Sequence, residues 1–324
     1  MYTNLTRLTL NLQGNLIHDK GAQILGTVLQ KCNKIEQLDL NLSENTIGKQ
    51  GAQALFSSFT YFNNLQDLSL DIQNNKIGNN GAKSLSSALE KLQHLSALTL
   101  KLQRNLMSEK GLSSIYSSLT KFEDLISLYI DLEYDPIHKN ANNQMSDNGE
   151  TNLGITLKKQ CNKLQKLTLN LKRNLIKYED LLNLYSGLEN CTHLQSLTLN
   201  ISEKNILKTK LSEIQFSPIF KKLTNLSILN LDLDVDYGTI LENLIPLSYN
   251  QLQTFSLNIR ANFMKFDNVK IFVQTLDSCL NLTSFGLVIA KTNDIAKELK
   301  KSEIAYINYK ICKYYRLVNK KIEL

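Results

Sequence analysis

The stretch DLDVDYGTILE, residues 232–242, sets Asp232, Asp234 and Asp236 at alternate positions, as the start of a calcium-binding loop does. Such a loop needs a glycine at its sixth place, for the sharp turn, and a bidentate carboxylate at its twelfth. Here Gly238 comes one place late and Glu242 falls at the eleventh place. Leu231 and Leu233 also belong to an alternating apolar pattern. The expectation is a solvated acidic strand with Asp232 and Asp234 on one face, about 7 Å apart. GKQG (48–51) and GNNG (78–81) have the glycines of a phosphate cradle, but neither is followed by the Lys and Ser or Thr that would complete one. The histidines, His18, His94, His138 and His193, are not spaced for two to share a metal. HExxH, CxxC and nucleophile-elbow patterns are absent from the sequence. Catalysis needs converging groups, so the sequence predicts a protein that is not an enzyme and uses no cofactor.

The five cysteines, Cys32, Cys161, Cys191, Cys279 and Cys312, include no close pair. That spacing argues against a disulfide framework and against a zinc module, and it suits a reducing, cytoplasmic setting. The apolar runs are short and interrupted, so no membrane span is expected. MYTNLTRLTLNL at the start lacks the charged and apolar regions of a signal peptide. The formal net charge is +7, unevenly placed. From Lys291 onward nine Lys or Arg face four Asp or Glu, a net +5, leaving about +2 for the body. A near-neutral body with a basic end does not read as a specific nucleic-acid binder.

What positions these residues is a repeat. An opening apolar residue recurs at Leu5, Ile35, Leu65, Leu95, Leu125, Leu164, Leu194, Leu226, Leu252 and Leu282, at intervals of 30, 30, 30, 30, 39, 30, 32, 26 and 30. Each unit begins with apolar residues at every second place, such as Leu68, Leu70 and Ile72, the period of a strand with one buried face. It ends with apolar residues three and four apart, such as Ala82, Leu85, Leu89 and Leu92, one stripe of a helix. A helix between successive strands makes them parallel. Two further columns run through the units. Asn15, Asn45, Asn75, Asn105, Asn174 and Asn262 recur where the strand turns into its loop, with Asp135 and Asp236 in the same slot. Cys32, Phe62, Leu92, Phe122, Cys161, Cys191, Leu223, Tyr249 and Cys279 share another slot; cysteine exchanging with phenylalanine and leucine marks a packing position.

LSLDIQNNKIGNNGAKSLSSAL (68–89) carries the LxxLxL, N-x-I-G-x-x-G-A and L-x-x-x-L pattern, and on it the chain resembles the leucine-rich repeat family, ribonuclease-inhibitor-like class, over roughly 5–290. A third alternating apolar residue (Leu12, Leu42, Ile72, Leu102, Leu132, Leu171) departs from that class and predicts strands longer by two residues, about 7 Å. The resemblance implies an α/β solenoid, a curved horseshoe of nine to ten repeats, with a parallel sheet on the concave face and helices on the convex face. The expected organisation is a solenoid over 1–290, with an insertion at about 134–150, and a basic helical cap over 291–324. Its stripe is Ile304, Ile307, Ile311, Tyr314 and Tyr315. The family implies a scaffold that binds a protein partner. Ran GTPase-activating proteins and ciliary or cytoskeletal subunits are similar proteins, which makes GTPase regulation and assembly roles the alternatives.

On such a scaffold the residues between the strand leucines face outward. Most are small and polar, and aromatic or arginine anchors are scarce. The fifth strand differs: it presents Tyr129, Asp131 and Glu133, with Lys101 before it and Lys166 and Lys172 after it. The 39-residue interval inserts YDPIHKNANNQMSDNGE (134–150), including His138, into the loop that follows. These residues are the candidate partner site. The basic end, with Lys300, Lys301, Lys310, Lys313, Arg316, Lys320 and Lys321, is a second candidate, for an acidic partner.

Overall fold

Alternation becomes strand and the three-four spacing becomes helix in unit after unit of the computed structural model. The structure describes residues 4–134, 143, 149–161, 163–174, 176, 178–202, 222–234, 251–261, 267, 270, 272, 274, 276, 279–291, 305 and 319–323. Within these, β1 (Arg7–Asn11), β2 (Gln37–Asn41), β3 (Asp67–Asp71), β4 (Ala97–Lys101), β5 (Ser127–Asp131), β6 (Lys166–Leu171), β7 (Ser196–Ser202), β8 (Ile228–Asp234), β9 (Thr254–Ala261), β10 (Ser284–Lys291) and β11 (Asn319–Glu323) form one sheet in chain order. Every neighbouring pair is parallel. Helices α1 (His18–Leu29), α2 (Lys49–Ser57), α3 (Gly78–Leu89), α4 (Glu109–Leu119), α5 (Gly149–Gln160) and α6 (Tyr178–Leu188) follow the first six strands, and α2 runs on into a 3-10 turn over Ser58–Tyr61. The architecture is an α/β repeat solenoid.

The register is in step at every unit: Leu8, Leu38, Leu68, Leu98, Leu128 and Leu167 lie side by side, as do their partners two places on. The leucines point inward with the apolar helix stripes, and the core is one continuous cluster. From β7 to β10 the strands run seven or eight residues and include the third apolar position. In the first five units that position lies just past the strand, yet Leu42, Ile72, Leu102 and Leu132 are buried. Their N–H groups continue the ladder, as in Leu42 N–H to Asp71 O at 2.7 Å. The long-strand expectation is thus met by hydrogen bonding throughout and by strand length only in the later units. The packing column is also buried: Cys32, Phe62, Leu92, Phe122, Cys161, Cys191, Leu223 and Cys279.

The asparagine column builds the strand exit. Asn75 Oδ1 accepts the N–H groups of Asn45 (3.2 Å) and Ile47 (2.8 Å), both in the preceding unit. Its amide donates to Leu42 O of that unit at 2.9 Å, and to Ile72 O (3.0 Å) and Gln73 O (3.3 Å) of its own. Asn45 repeats the pattern one unit earlier. The residue before each of these asparagines is left-handed: Gly14, Glu44, Asn74, Arg104 and Arg173 have φ between 52° and 69°. A non-glycine residue pays about 1–2 kcal/mol there, and the buried amide that clasps the two preceding carbonyls offsets it.

The long interval brings a correction. Asp135, expected in the next rung, lies outside the described residues, and Asn143 occupies the rung. Its Oδ1 accepts from Asn105 N–H (3.1 Å) and Met107 N–H (3.2 Å), and its amide donates to Leu102 O (2.7 Å). The pattern then resumes at Asn174. The rung is chosen by hydrogen-bonding geometry, which an asparagine further along a longer loop can meet. Of the expected cap over 291–324, the helical stripe lies outside the described residues. The described end, β11, is a strand paired to β10, which the thirty-residue period does not announce.

Helix starts are secured across units. Gly48 N–H, ahead of α2, donates to Asp19 of α1 at 2.6 Å, and Ser108 N–H, ahead of α4, donates to Asn79 of α3 at 2.8 Å. Gly51 and Gly111 recur because these capping residues crowd them: a Cβ at Gly51 would sit 2.6 Å from Asp19 Cα. The same logic brings α5 against α6, where a Cβ on Gly154 or Gly187 would collide with the facing backbone. Gly187→Ala is expected to destabilise by about 1–3 kcal/mol through overpacking, measured by urea unfolding. Asn75→Ala orphans buried groups in two units and should cost about 3 kcal/mol, whereas Asn11→Ala, which removes an exposed bond to Gln13 N–H, should cost less than about 1 kcal/mol. Equal losses for the two asparagines would show that the rung is not the stabilising feature.

Candidate functional site

Strand alternation puts Tyr129, Asp131 and Glu133 on the open face of the sheet. Tyr129 lies between Thr99 and Thr168, and Asp131 between Lys101 and Asn170. Tyr129 is half-buried, and its hydroxyl donates to Asp131 Oδ2 at 3.3 Å. Burial, then the Asp131 carboxylate, pushes the Tyr129 hydroxyl up to about 12, so the phenol keeps its proton.

Asp131 is less a contact than a turn. It is only 7% exposed, and its Oδ1 accepts Glu133 N–H at 3.1 Å. Asn11, Asn41, Asp71 and Asn170 make the same bond to the residue two places on. Where the column holds Asn or Asp in β1, β2, β3, β5 and β6 it is therefore an Asx turn at the strand end, with Lys101 of β4 as the exception, and Asp131 is its local variant. Burial holds its carboxyl above the usual range, against the lowering effect of Glu133 N–H and Asn170.

The surrounding charges do not converge on Tyr129. Lys101 pairs with Asp71 on β3 at 3.2 Å. Glu133 is held by Arg173 at 3.0 Å and by Asn170 at 3.2 Å. Lys172 reaches over β7 to pair with Asp232. That pair gives the acidic strand its observed role: Asp232 neutralises a lysine two strands away. Lys166 is exposed on the first outward position of β6. His138 and the rest of 135–142 and 144–148 lie outside the described residues. Sequence reasoning missed Arg173 and Asp71 as partners, since the repeat gives Arg173 a slot but not the side chain it meets.

Cys161 and Cys191 form a disulfide, with Cα atoms 4.4 Å apart, while Cys32 and Cys279 are buried and outside it. The expectation of no disulfide is corrected here. A spacing of 30 residues is distant along the chain but adjacent in a solenoid of that period. Among the described residues no three His, Cys, Asp or Glu side chains are grouped to hold a metal, and no helix is long and apolar enough to cross a membrane.

No protein-family model matches the chain, and no curated protein does. Solved structures that it resembles include a leiomodin-1 actin-binding site 2 domain, at 14% identity and a TM-score of 0.37, over 52% of this chain and 87% of that one. A likeness at that level carries no argument about function. The parallel sheet and alternating helices fit a leucine-rich-repeat-like solenoid.

Because the folded state holds the Asp131 proton more tightly than the unfolded chain, this group favours folding at low pH, and the contribution is lost as pH rises through its raised folded value. Asparagine keeps the acceptor for Glu133 N–H and removes the buried charge. Asp131→Asn is therefore expected to match or exceed wild-type stability at pH 7, with the difference vanishing near pH 3, in urea titrations at both values. A marked loss at pH 7 would show that the carboxylate itself holds the turn.

Proposed function

We propose that the chain is a non-enzymatic leucine-rich repeat protein of the ribonuclease-inhibitor-like class that works in the cytoplasm as a scaffold, binding a protein partner on the open face of its sheet. The observation that carries this reading is the placement of Tyr129. It is a half-buried aromatic, its ring steadied through its hydroxyl, on a regular face of small polar side chains. An aromatic held in one orientation loses little entropy on binding, which suits an anchor. Lys166 stands exposed on the next strand, and the insertion leaves the chain directly after Glu133. Asp131 serves this site by shaping the strand end, and Lys101, Lys172 and Glu133 are engaged with Asp71, Asp232 and Arg173, so the contact focus narrows to Tyr129 and Lys166.

The test is a comparison of tagged baits by quantitative affinity purification. Tyr129→Ala with Lys166→Ala is expected to deplete the proteins captured by wild type by about tenfold or more, with the unfolding midpoint little changed, since anchor residues contribute about 2 kcal/mol or more. Asp131→Asn should capture as wild type does. Unchanged capture by the double variant would remove this face from consideration.

A further inference from the structure

The packing column places cysteines in consecutive units once among the described residues, at Cys161 and Cys191. Cys161 follows α5 directly and leads into β6, and Cys191 follows α6 and leads into β7. Both are buried, at 1% and 0% exposure. Each is fixed by backbone bonds in its return turn: Cys161 N–H to Leu157 O at 3.0 Å, Cys191 N–H to Leu188 O at 2.9 Å. Both sulfurs also lie near one carbonyl, Gly187 O, at 3.9 Å from Cys161 Sγ and 3.6 Å from Cys191 Sγ. That carbonyl belongs to the glycine that lets α6 touch α5. The site therefore accommodates two covalent states on one backbone. As thiols, both S–H groups have Gly187 O as an acceptor; as a disulfide, the sulfurs satisfy each other.

We propose that Cys161 and Cys191 form a reversible dithiol–disulfide pair that locks the joint between the units carrying β6 and β7. The inference stands independently of the partner site. The oxidant is a low-molecular-weight disulfide of the glutathione type. The thiolate of one cysteine attacks it, forming a mixed disulfide and releasing one small thiolate. The second cysteine, having lost its proton, attacks the protein sulfur of that mixed disulfide. The Cys161–Cys191 bond forms, a second small thiolate leaves, and two electrons have passed from the protein to the small disulfide. In a reducing compartment the dithiol prevails and the joint is held by packing alone. Oxidation ties together the turns that lead into β6 and β7. Because both sulfurs are buried, exchange requires the joint to open, so the bond responds slowly in the native protein and quickly when it is loosened.

The full chain, purified under reduction, is equilibrated in glutathione buffers from fully reduced to fully oxidised, with mild denaturant to speed exchange, then acid-quenched, alkylated and mapped by mass spectrometry. The expected result is a cross-linked Cys161–Cys191 peptide that rises with the oxidised fraction and disappears in the reduced limit, while Cys32 and Cys279 alkylate throughout after denaturation. Hydrogen exchange of α5 and α6 should slow by about tenfold on oxidation. In Cys161→Ala with Cys191→Ala it should not respond to redox state. Thiols that persist at full oxidation, a bond that never reduces, or a bridge formed mainly to another cysteine would each overturn the proposal. So would identical exchange in the two wild-type states.

Discussion

A buried carboxamide at the strand exit, seen among the described residues at Asn45, Asn75, Asn105, Asn143 and Asn174, is the constraint on which the rest of this fold depends. Five backbone groups, drawn from two units, close on the side chain of Asn75. No apolar residue could satisfy them, and a shorter or charged one would leave donors or acceptors stranded in the core. The bonds run both within a unit and back to the one before. Each rung thereby fixes the left-handed residue at its own strand exit and the spacing to its neighbour. Helix starts add a second tie of the same reach, through Asp19 and Asn79. Stability in such a chain passes from neighbour to neighbour, with the leucine core supplying the burial and the rung supplying the pitch.

The open sheet face is organised by the same period. Side chains thirty residues apart are neighbours across a strand pair, so Lys101 finds Asp71, and Lys172 reaches past the adjacent strand to Asp232. Partly exposed pairs of this kind contribute about 0–1 kcal/mol each to stability. Their larger effect is on recognition: a partner meets a face whose charges are already balanced locally. Affinity there depends on shape and on the few side chains not engaged with one another.

Strands, helices and their order were legible in the sequence because burial writes its period directly into residue type. Leu68, Leu70 and Ile72 could form little else, and the Ala82–Leu92 stripe states a helix. What was not legible depends on neighbours. Asp131 read as a charge offered to solvent, and only its equivalence with Asn11, Asn41 and Asp71 as acceptors shows it to be a turn. Cys161 and Cys191 read as packing residues, which they are; that two packing positions of successive units touch follows from stacking, which a linear spacing hides. β11 left no periodic trace at all. Tyr129 was found because it broke the pattern of its column.

Asn143 shows how this architecture keeps count. The unit it serves is nine residues longer than its neighbours, yet the rung is filled and β6 pairs with β5 in ordinary register. The chain therefore measures its repeats by stations, at which a carboxamide must arrive, and not by contour length. Extra sequence can accumulate between stations without shifting the leucines that follow. A solenoid with such bookkeeping can acquire a new surface element in one unit while every other unit stays as it was.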